Sequence, residues 1–247
     1  MTGAKPTPAA DARPRGASGK ASGAGSDRGR DVRRVVLVHG LWMPAASMAW
    51  LGRQLARAGY APERFGYSSV INGPDAAPAL ARLLARGPCH VLAHSLGGLL
   101  AVRTLREHPQ LPVARVVCLG SPLCGSAAAS GVSQLKGLGR LLGRSAPLLC
   151  SGCDPWDGAA ELAVVAGRRP IGLGQLFGRF DGPSDGTVAV AETRLPGLAD
   201  HIVIPSSHCG LLASAEAATL AAQFFGSGRF RPSAGAEHAP ARGDAIR

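Results

Sequence analysis

The amino-acid sequence predicts an α/β fold, in which about six mainly parallel strands form a sheet with helices on both faces. Short runs of apolar and β-branched residues recur without alternating polar positions, as is typical of strands buried on both faces. Segments with apolar residues at helical spacing separate these runs. The chain has 247 residues, of which 46% are hydrophobic and 17% charged, so it can bury a sizeable core.

The first half of the sheet is predicted from two strands and two helices. The β-branched run at 34–38 indicates a buried strand. Residues 46–58 have apolar side chains at helical spacing, and we expect this helix to end at Gly59. A shorter and weaker strand is predicted at 62–67. Residues 75–86 indicate a second helix, because their leucines fall on one face.

The second half begins with a central apolar strand at 89–93. A helix is predicted over 95–108, where Pro109 stops it. The same alternation then continues to the end of the domain. Three further strands and a final helix are predicted at 113–119, 161–166, 199–204 and 211–225.

Both ends of the chain predict disordered tails around one domain at 32–228. The tails, 1–31 and 229–247, are rich in Gly, Ala, Pro and Arg. Such segments cannot bury enough apolar surface to offset the entropy lost on ordering. The net charge is +11, but a large share of it lies in the tails rather than across a folded face. We therefore expect no nucleic-acid partner, and the sequence leaves the oligomeric state open.

A secretory signal or a membrane-spanning segment in the sequence would indicate where the protein is located. No secretory signal is recognisable, because the basic residues near the N-terminus are not followed by a sufficiently long apolar run. Residues 35–52 carry no formal charge, but Gly40 and Pro44 interrupt them, so one membrane-crossing helix is not expected. The sequence thus predicts a soluble, cytoplasmic protein without a transmembrane segment.

A segment at about 124–160 interrupts the alternation of strands and helices. It is rich in Gly, Leu and Ser, and the leucines within 134–144 fall on one face of a marginal helix. Two interpretations follow: an excursion that packs on the domain, or a cap-like insertion over the substrate site. The position of the segment favours the cap.

Six cysteines are present. Cys150 and Cys153 have CxxC spacing, but a zinc site would need two further ligands at matching spacing. We find no such ligands and expect no metal. Loop cysteines without a special role are favoured. A Cys150–Cys153 disulfide, or one that involves Cys124, is the alternative.

The stretch AHSLGG at 93–98 places a serine between the central strand and the following helix. Ala93 and Gly97 lie two positions before and two after Ser95, and a strained strand-to-helix turn requires such small residues. Ser95 is therefore predicted to be a nucleophile, and the N–H of Leu96 would point toward a substrate oxygen. An accidental turn between small residues is the alternative.

The motif HGLW at 39–42 follows the first strand and leads into a loop. A second backbone N–H must complete an oxyanion hole, and this loop is where such a donor comes from. Gly40 allows the backbone to approach the substrate, and Leu41 would supply the N–H. His39 precedes the loop, so we predict a structural hydrogen-bonding role for it. An ordinary strand-to-loop turn is the alternative for this motif.

A nucleophilic serine needs a base and a carboxylate that orients the base. Of seven histidines, His208 follows the last strand and so lies at the edge of the sheet where Ser95 is expected. His94 adjoins the serine and is expected to point elsewhere. The carboxylate should come from the loop after the preceding strand. There Asp185 is favoured over Asp181, because the residues after Asp185 predict a turn that opens a short helix.

The motifs HGLW, AHSLGG, GSP at 120–122, SDGTV and SSHCGLL occur in this order. Together they resemble the α/β-hydrolase superfamily, and within it bacterial lipases and esterases, over about residues 33–226. The resemblance implies an acyl hydrolase with a triad of Ser95, Asp185 and His208 that needs no cofactor. Two antiparallel strands common at the start of this fold have no obvious counterpart here, so a minimal α/β-hydrolase fold is expected.

The expected reaction is hydrolysis of a small-molecule carboxylic ester through an acyl-enzyme. Apolar residues around the expected site, among them Trp42, Met43 and Leu123, suit an apolar acyl chain. The same catalytic groups would serve a thioesterase or an acyltransferase. A non-catalytic binding protein of this fold is a further alternative, because a fold does not determine function.

Overall fold

The computed structural model describes residues 29, 31–71, 73–125, 145, 153–171, 182–231 and 237–238. Their seven strands form one sheet in the order β2-β1-β3-β4-β5-β6-β7. The strands are β1 (Arg34–Val38), β2 (Ala61–Phe65), β3 (Cys89–His94), β4 (Val113–Leu119), β5 (Glu161–Gly167), β6 (Asp200–Ile204) and β7 (Glu237–His238). The first six are parallel, and β7 pairs antiparallel with β6. The predicted sheet of about six mainly parallel strands is confirmed.

In the described ranges, four α-helices connect or follow the strands: α1 (Ala49–Arg57), α2 (Ala77–Leu84), α3 (Leu96–Glu107) and α4 (Ala215–Ser227). Short 3-10 helices precede α1, α2 and α4, at Ala45–Met48, Gly73–Ala76 and Gly210–Ala213. Ser214 begins α4, because its Oγ accepts the N–H of Ala217 at 3.1 Å. Within the described part of the chain, no helix combines the length and apolar character needed to cross a membrane.

The two faces of the sheet bury different helices, because side chains alternate along each strand. On one face, Val36 and Val91 belong to the core formed with α2 and α3. On the other face, Leu37 and Leu92 belong to the core formed with α1 and α4. Helices on both faces were predicted from the continuous apolar strands, and the structure confirms them.

Several described residues from the predicted disordered tails contact the domain. Gly29 is buried against Arg115, so closely that a methyl group on Gly29 would lie 2.5 Å from the Arg115 Nη1. Phe230 is buried, and its N–H donates to Asp200 Oδ2 at 2.8 Å. Glu237 belongs to β7. The partners of these residues come from distant parts of the chain. Most other tail residues lie outside the described ranges.

A disulfide joins Cys124 to Cys153, which is 29 residues further along the chain. The favoured prediction, loop cysteines without a special role, was therefore wrong for this pair, and the alternative that involves Cys124 applies. Local spacing did not identify the pair, because a disulfide depends on how closely two cysteines approach in space. Cys150 and most of the predicted cap at 124–160 lie outside the described residues.

Candidate active site

Ser95 lies at the turn between β3 and α3, at the carboxyl end of the central strand. Its backbone has φ 53° and ψ −122°, a conformation that a residue with a side chain rarely adopts. The turn brings α3 very close to β1. A methyl group on Gly97 would lie 2.6 Å from the carbonyl oxygens of both Val38 and His39. The small residue predicted after the serine is therefore sterically required.

His208 contacts both Ser95 and Asp185 through its ring. Its Nε2 lies 3.0 Å from Ser95 Oγ, and its Nδ1 lies 2.7 Å from Asp185 Oδ2. A carboxylate oxygen accepts hydrogen bonds, so Nδ1 carries the hydrogen and Nε2 is left to accept the serine hydroxyl. Asp185 is 1% exposed and His208 is 6% exposed. The structure thus brings the three residues predicted from the motifs into one hydrogen-bonded chain.

Asp185 is held by its own loop. Its Oδ1 accepts the N–H groups of Thr187 at 2.9 Å and Val188 at 2.7 Å, which directs Oδ2 to His208. The N–H of His208 donates to the Asp185 carbonyl at 2.9 Å, so the loops after β5 and β6 are joined through their backbones as well. The predicted short helix occurs as the 3-10 helix Val190–Thr193. Asp181 lies outside the described residues.

Gly120, which directly follows β4, makes room for the pair of Asp185 and His208. A methyl group on Gly120 would lie 3.0 Å from Asp185 Oδ2 and 3.2 Å from His208 Nδ1, and the residue has φ 54°. A side chain there would displace the carboxylate or the imidazole. Gly120 belongs to the GSP motif, but its place in the sequence did not indicate this role.

A second imidazole, that of His94, lies behind His208. The two ring centroids are 4.7 Å apart, and His94 Nε2 donates to the His208 carbonyl at 3.1 Å. Burial, and to a lesser degree the neighbouring His208, lower the pKa of His94 to about 3. His94 is therefore neutral and holds the backbone of His208. No spacing in the sequence indicated this contact, because His94 and His208 are far apart along the chain.

The loop after β1 passes beside the serine. A methyl group on Gly40 would lie 3.1 Å from Ser95 Cβ, so the backbone that continues to Leu41 is close to the hydroxyl. Leu96 is buried at the start of α3. His39 stacks on Tyr67 with a centroid distance of 4.4 Å, and its Nδ1 bonds to the Gly40 carbonyl at 3.0 Å. Burial lowers the pKa of His39, in keeping with a structural role.

The three residues predicted to line a substrate site have different surroundings. Trp42 is 53% exposed and has φ 57°. Met43 is half-buried in the same loop. Leu123 is buried, and Leu41 packs against the same core cluster. The structure therefore places Trp42 and Met43 on the loop beside Ser95 and Leu123 on the loop after β4.

No protein-family model matches the sequence, and no curated protein sequence matches it. Solved structures do match. The mature form of the lipase BlEst2 from Bacillus licheniformis has a TM-score of 0.60 at 20% identity, over 73% of this chain and 86% of that one. Phospholipase PlaB from Legionella pneumophila has a TM-score of 0.55 at 17% identity, over 79% and 58%. The pyrethroid hydrolase PytH has a TM-score of 0.53 at 15% identity, over 78% and 98%. This chain has the α/β-hydrolase fold.

Proposed function

We propose that this protein is a serine hydrolase that cleaves carboxylic esters. The observation that carries the proposal is the hydrogen-bonded chain from Asp185 through His208 to Ser95, at the turn after the central strand. A lipase and a pyrethroid hydrolase are among the proteins of similar structure. A serine hydroxyl is a weak nucleophile unless a base accepts its proton, and this chain supplies the base and the group that orients it.

The geometry suggests a mechanism in two stages. His208 Nε2 takes the Ser95 proton as Oγ attacks the acyl carbonyl, and the resulting imidazolium then protonates the departing alcohol. Asp185 keeps the hydrogen on Nδ1 and stabilises the imidazolium. The N–H groups of Leu41 and Leu96 bind the oxyanion. Water activated by His208 then attacks the acyl-enzyme and releases the acid. No cofactor takes part in these steps.

An apolar acyl group fits the surroundings of the serine best. The partly buried Leu41 provides apolar surface on the loop beside it, and the partly exposed Trp42 extends this surface outward. We therefore expect esters of aliphatic acids to be turned over faster than esters of charged acids. A series of p-nitrophenyl esters of increasing chain length measures this preference.

Labelling with a fluorophosphonate probe tests the nucleophile directly. The wild-type protein should become labelled on Ser95, and Ser95→Ala should lose both the labelling and the esterase activity while it keeps its fold. Loss of the nucleophile from a triad lowers kcat on the order of 10⁶-fold. If the purified Ser95→Ala variant kept a tenth of wild-type turnover, Ser95 would not be the nucleophile.

A further inference from the structure

A buried serine in the loop after β2 holds the backbone beside the proposed oxyanion hole. Ser69 is 4% exposed, and its Oγ accepts the N–H of Trp42 at 2.9 Å. Trp42 follows Leu41, whose N–H is one of the two proposed oxyanion donors. The Ser69 hydroxyl thus bonds to the peptide group on one side of Leu41.

The bonded peptide has an unfavourable conformation. Trp42 has φ 57°, and a bulky side chain makes this left-handed region costly. Among the non-glycine residues that the structure describes, only Trp42 and Ser95 have a positive φ. Such a conformation persists only where surrounding contacts fix it. The bond from Trp42 to Ser69 is a contact of this kind, and Gly40 fixes the other side of Leu41 by packing against Ser95.

Two neighbouring contacts strengthen the connection between the loops after β1 and β2. The Tyr67 hydroxyl donates to the His39 carbonyl at 3.0 Å, and the Tyr67 N–H donates to His39 Nε2 at 3.4 Å. The Ser69 carbonyl also accepts the hydroxyl of Ser145. The bond from Ser145 holds the backbone of Ser69 independently of Trp42. The Ser69 hydroxyl therefore presents a fixed acceptor to the Trp42 N–H.

We propose that Ser69 is a positioning residue for the oxyanion hole. It holds the peptide between Leu41 and Trp42 in its left-handed turn, so that the Leu41 N–H points at the oxygen of the tetrahedral intermediate. The inference rests on the proposed function, because it assigns a role within the same acyl-transfer site. Ser69 contacts neither the reacting atoms nor the substrate in this role; it acts through the backbone.

The test compares the transition state with the ground state in Ser69→Ala. An oxyanion donor acts mainly in the transition state, and loss of a whole donor typically lowers kcat by about 10²–10³-fold. A donor that is only mispositioned should lower kcat by about 10- to 100-fold, with little change in KM. The affinity for an alkylboronic acid, whose serine adduct resembles the tetrahedral intermediate, should fall by a similar factor. A purely structural role would lower the melting temperature without this selective loss.

Ser68→Ala is the matched control. The Ser68 Oγ accepts the N–H of Ile71 at 3.2 Å in an exposed turn of the same loop. This variant should keep wild-type kcat and boronate affinity. Ser69→Thr retains the hydroxyl and should keep kcat within about threefold of wild type. If Ser69→Ala folds too poorly to assay, Ser69→Cys replaces it, because a thiol of similar size is a weaker acceptor, and kcat should again fall.

Wild-type kcat and boronate affinity in Ser69→Ala or Ser69→Cys would overturn the proposal. Equal losses of kcat in Ser69→Ala and Ser68→Ala would overturn it too, because the loop rather than the Ser69 hydroxyl would then be responsible. Fluorophosphonate labelling of the wild-type protein distinguishes a failure of the proposed function from a failure of the role inferred for Ser69. An unlabelled and inactive wild type removes the proposed function and this inference with it, whereas a labelled, active wild type with an unaffected Ser69→Ala removes only the inference.

Discussion

Both carboxylate oxygens of Asp185 accept hydrogen bonds from other groups of the protein. One oxygen accepts two backbone N–H groups of its own loop, and the other accepts the hydrogen of the His208 ring at 2.7 Å. The carboxylate is buried, so these bonds are not weakened by competing water. The side chain can therefore select one tautomer of His208 and one orientation of its ring.

Asp185→Asn should lower kcat by about 10³–10⁴-fold. The amide would present an N–H₂ group either to the ring of His208 or to the backbone N–H groups, so the imidazole would lose the tautomer that leaves Nε2 free to accept. Steady-state kinetics at saturating ester measure the effect. Asp181→Asn is the matched variant and should change kcat by less than about tenfold. The reverse ranking would make Asp181 the orienting acid.

The residues of the candidate site differ in how far the sequence could predict them. Ser95 directly follows β3, His208 lies in the loop after β6, and local motifs indicated both of them together with Asp185. Ser69 and His94 could not be assigned their contacts in this way. Each acts through a hydrogen bond to a backbone group far along the chain, and such a bond leaves no periodicity or spacing in the sequence.

At the scale of elements, the close approach of α3 to β1 determines where the serine is held. The first turn of α3 lies over the end of β1, and the carbonyl oxygens of Val38 and His39 occupy the space that a side chain at Gly97 would need. The helix cannot move away without carrying Ser95 with it. Packing between these two elements is therefore part of the site.

Gly97→Ala should destabilise the fold by about 1–3 kcal/mol, because α3 or β1 must shift to admit the methyl group. Gly226→Ala is the matched control within α4. There the nearest atom to the added methyl group would be the Tyr60 Oη at 3.7 Å, which is an ordinary contact. Alanine should stabilise this helix position by about 0.5–1 kcal/mol. Urea unfolding of both variants measures the difference, and an equal effect of the two changes would contradict the steric argument.

Strands that consist of a clear run of apolar residues between turn-forming residues were predicted best. The strand predicted at 113–119 matches β4, since its apolar run ends at Gly120 and begins after Pro112. Helix starts were predicted less well, because the first turns before α1, α2 and α4 are 3-10 helices. β7 was missed altogether. It has only two residues, and its pairing with β6 depends on tertiary contacts rather than on its own sequence.

At the scale of the whole molecule, the parallel sheet gathers the site at one edge. The carboxyl ends of parallel strands meet there, so residues 40, 95, 120 and 208 become neighbours although they are far apart in the sequence. The opposite edge contains buried polar groups with no part in the proposed reaction. Arg115, for example, is fully buried and forms an ion pair with Glu161 at 2.6 Å.

Two buried histidines should make the stability of the whole protein sensitive to acid. Burial lowers the pKa of His94 to about 3 and that of His90 to about 4, against the ordinary 6.5. Below pH 6.5 the unfolded chain therefore binds protons that the folded chain does not bind. Stability from this source is complete above pH 6.5 and falls as the pH is lowered toward 4 and then 3, by up to about 1.4 kcal/mol per pH unit for each histidine.

Urea unfolding at a series of pH values between 4 and 7 measures this slope. The His90→Phe variant removes one of the two imidazoles and should show a shallower fall in its free energy of unfolding. Phenylalanine suits the position, because the His90 ring stacks on Phe225 with a centroid distance of 4.6 Å. A free energy that stays constant or rises on acidification of the wild type would contradict the prediction.

The bond between Cys124 and Cys153 makes the covalent structure depend on the surroundings of the chain. Disulfides persist in oxidising compartments, whereas glutathione and thioredoxin keep thiols reduced in most cytosols. In a reducing cytosol the same chain would be a linear dithiol, two hydrogen atoms heavier and without the closed ring of residues 124–153. The cytoplasmic location predicted from the sequence and this disulfide therefore favour different compartments, and the intact mass of the protein isolated under thiol-blocking conditions would report which of them the chain occupies.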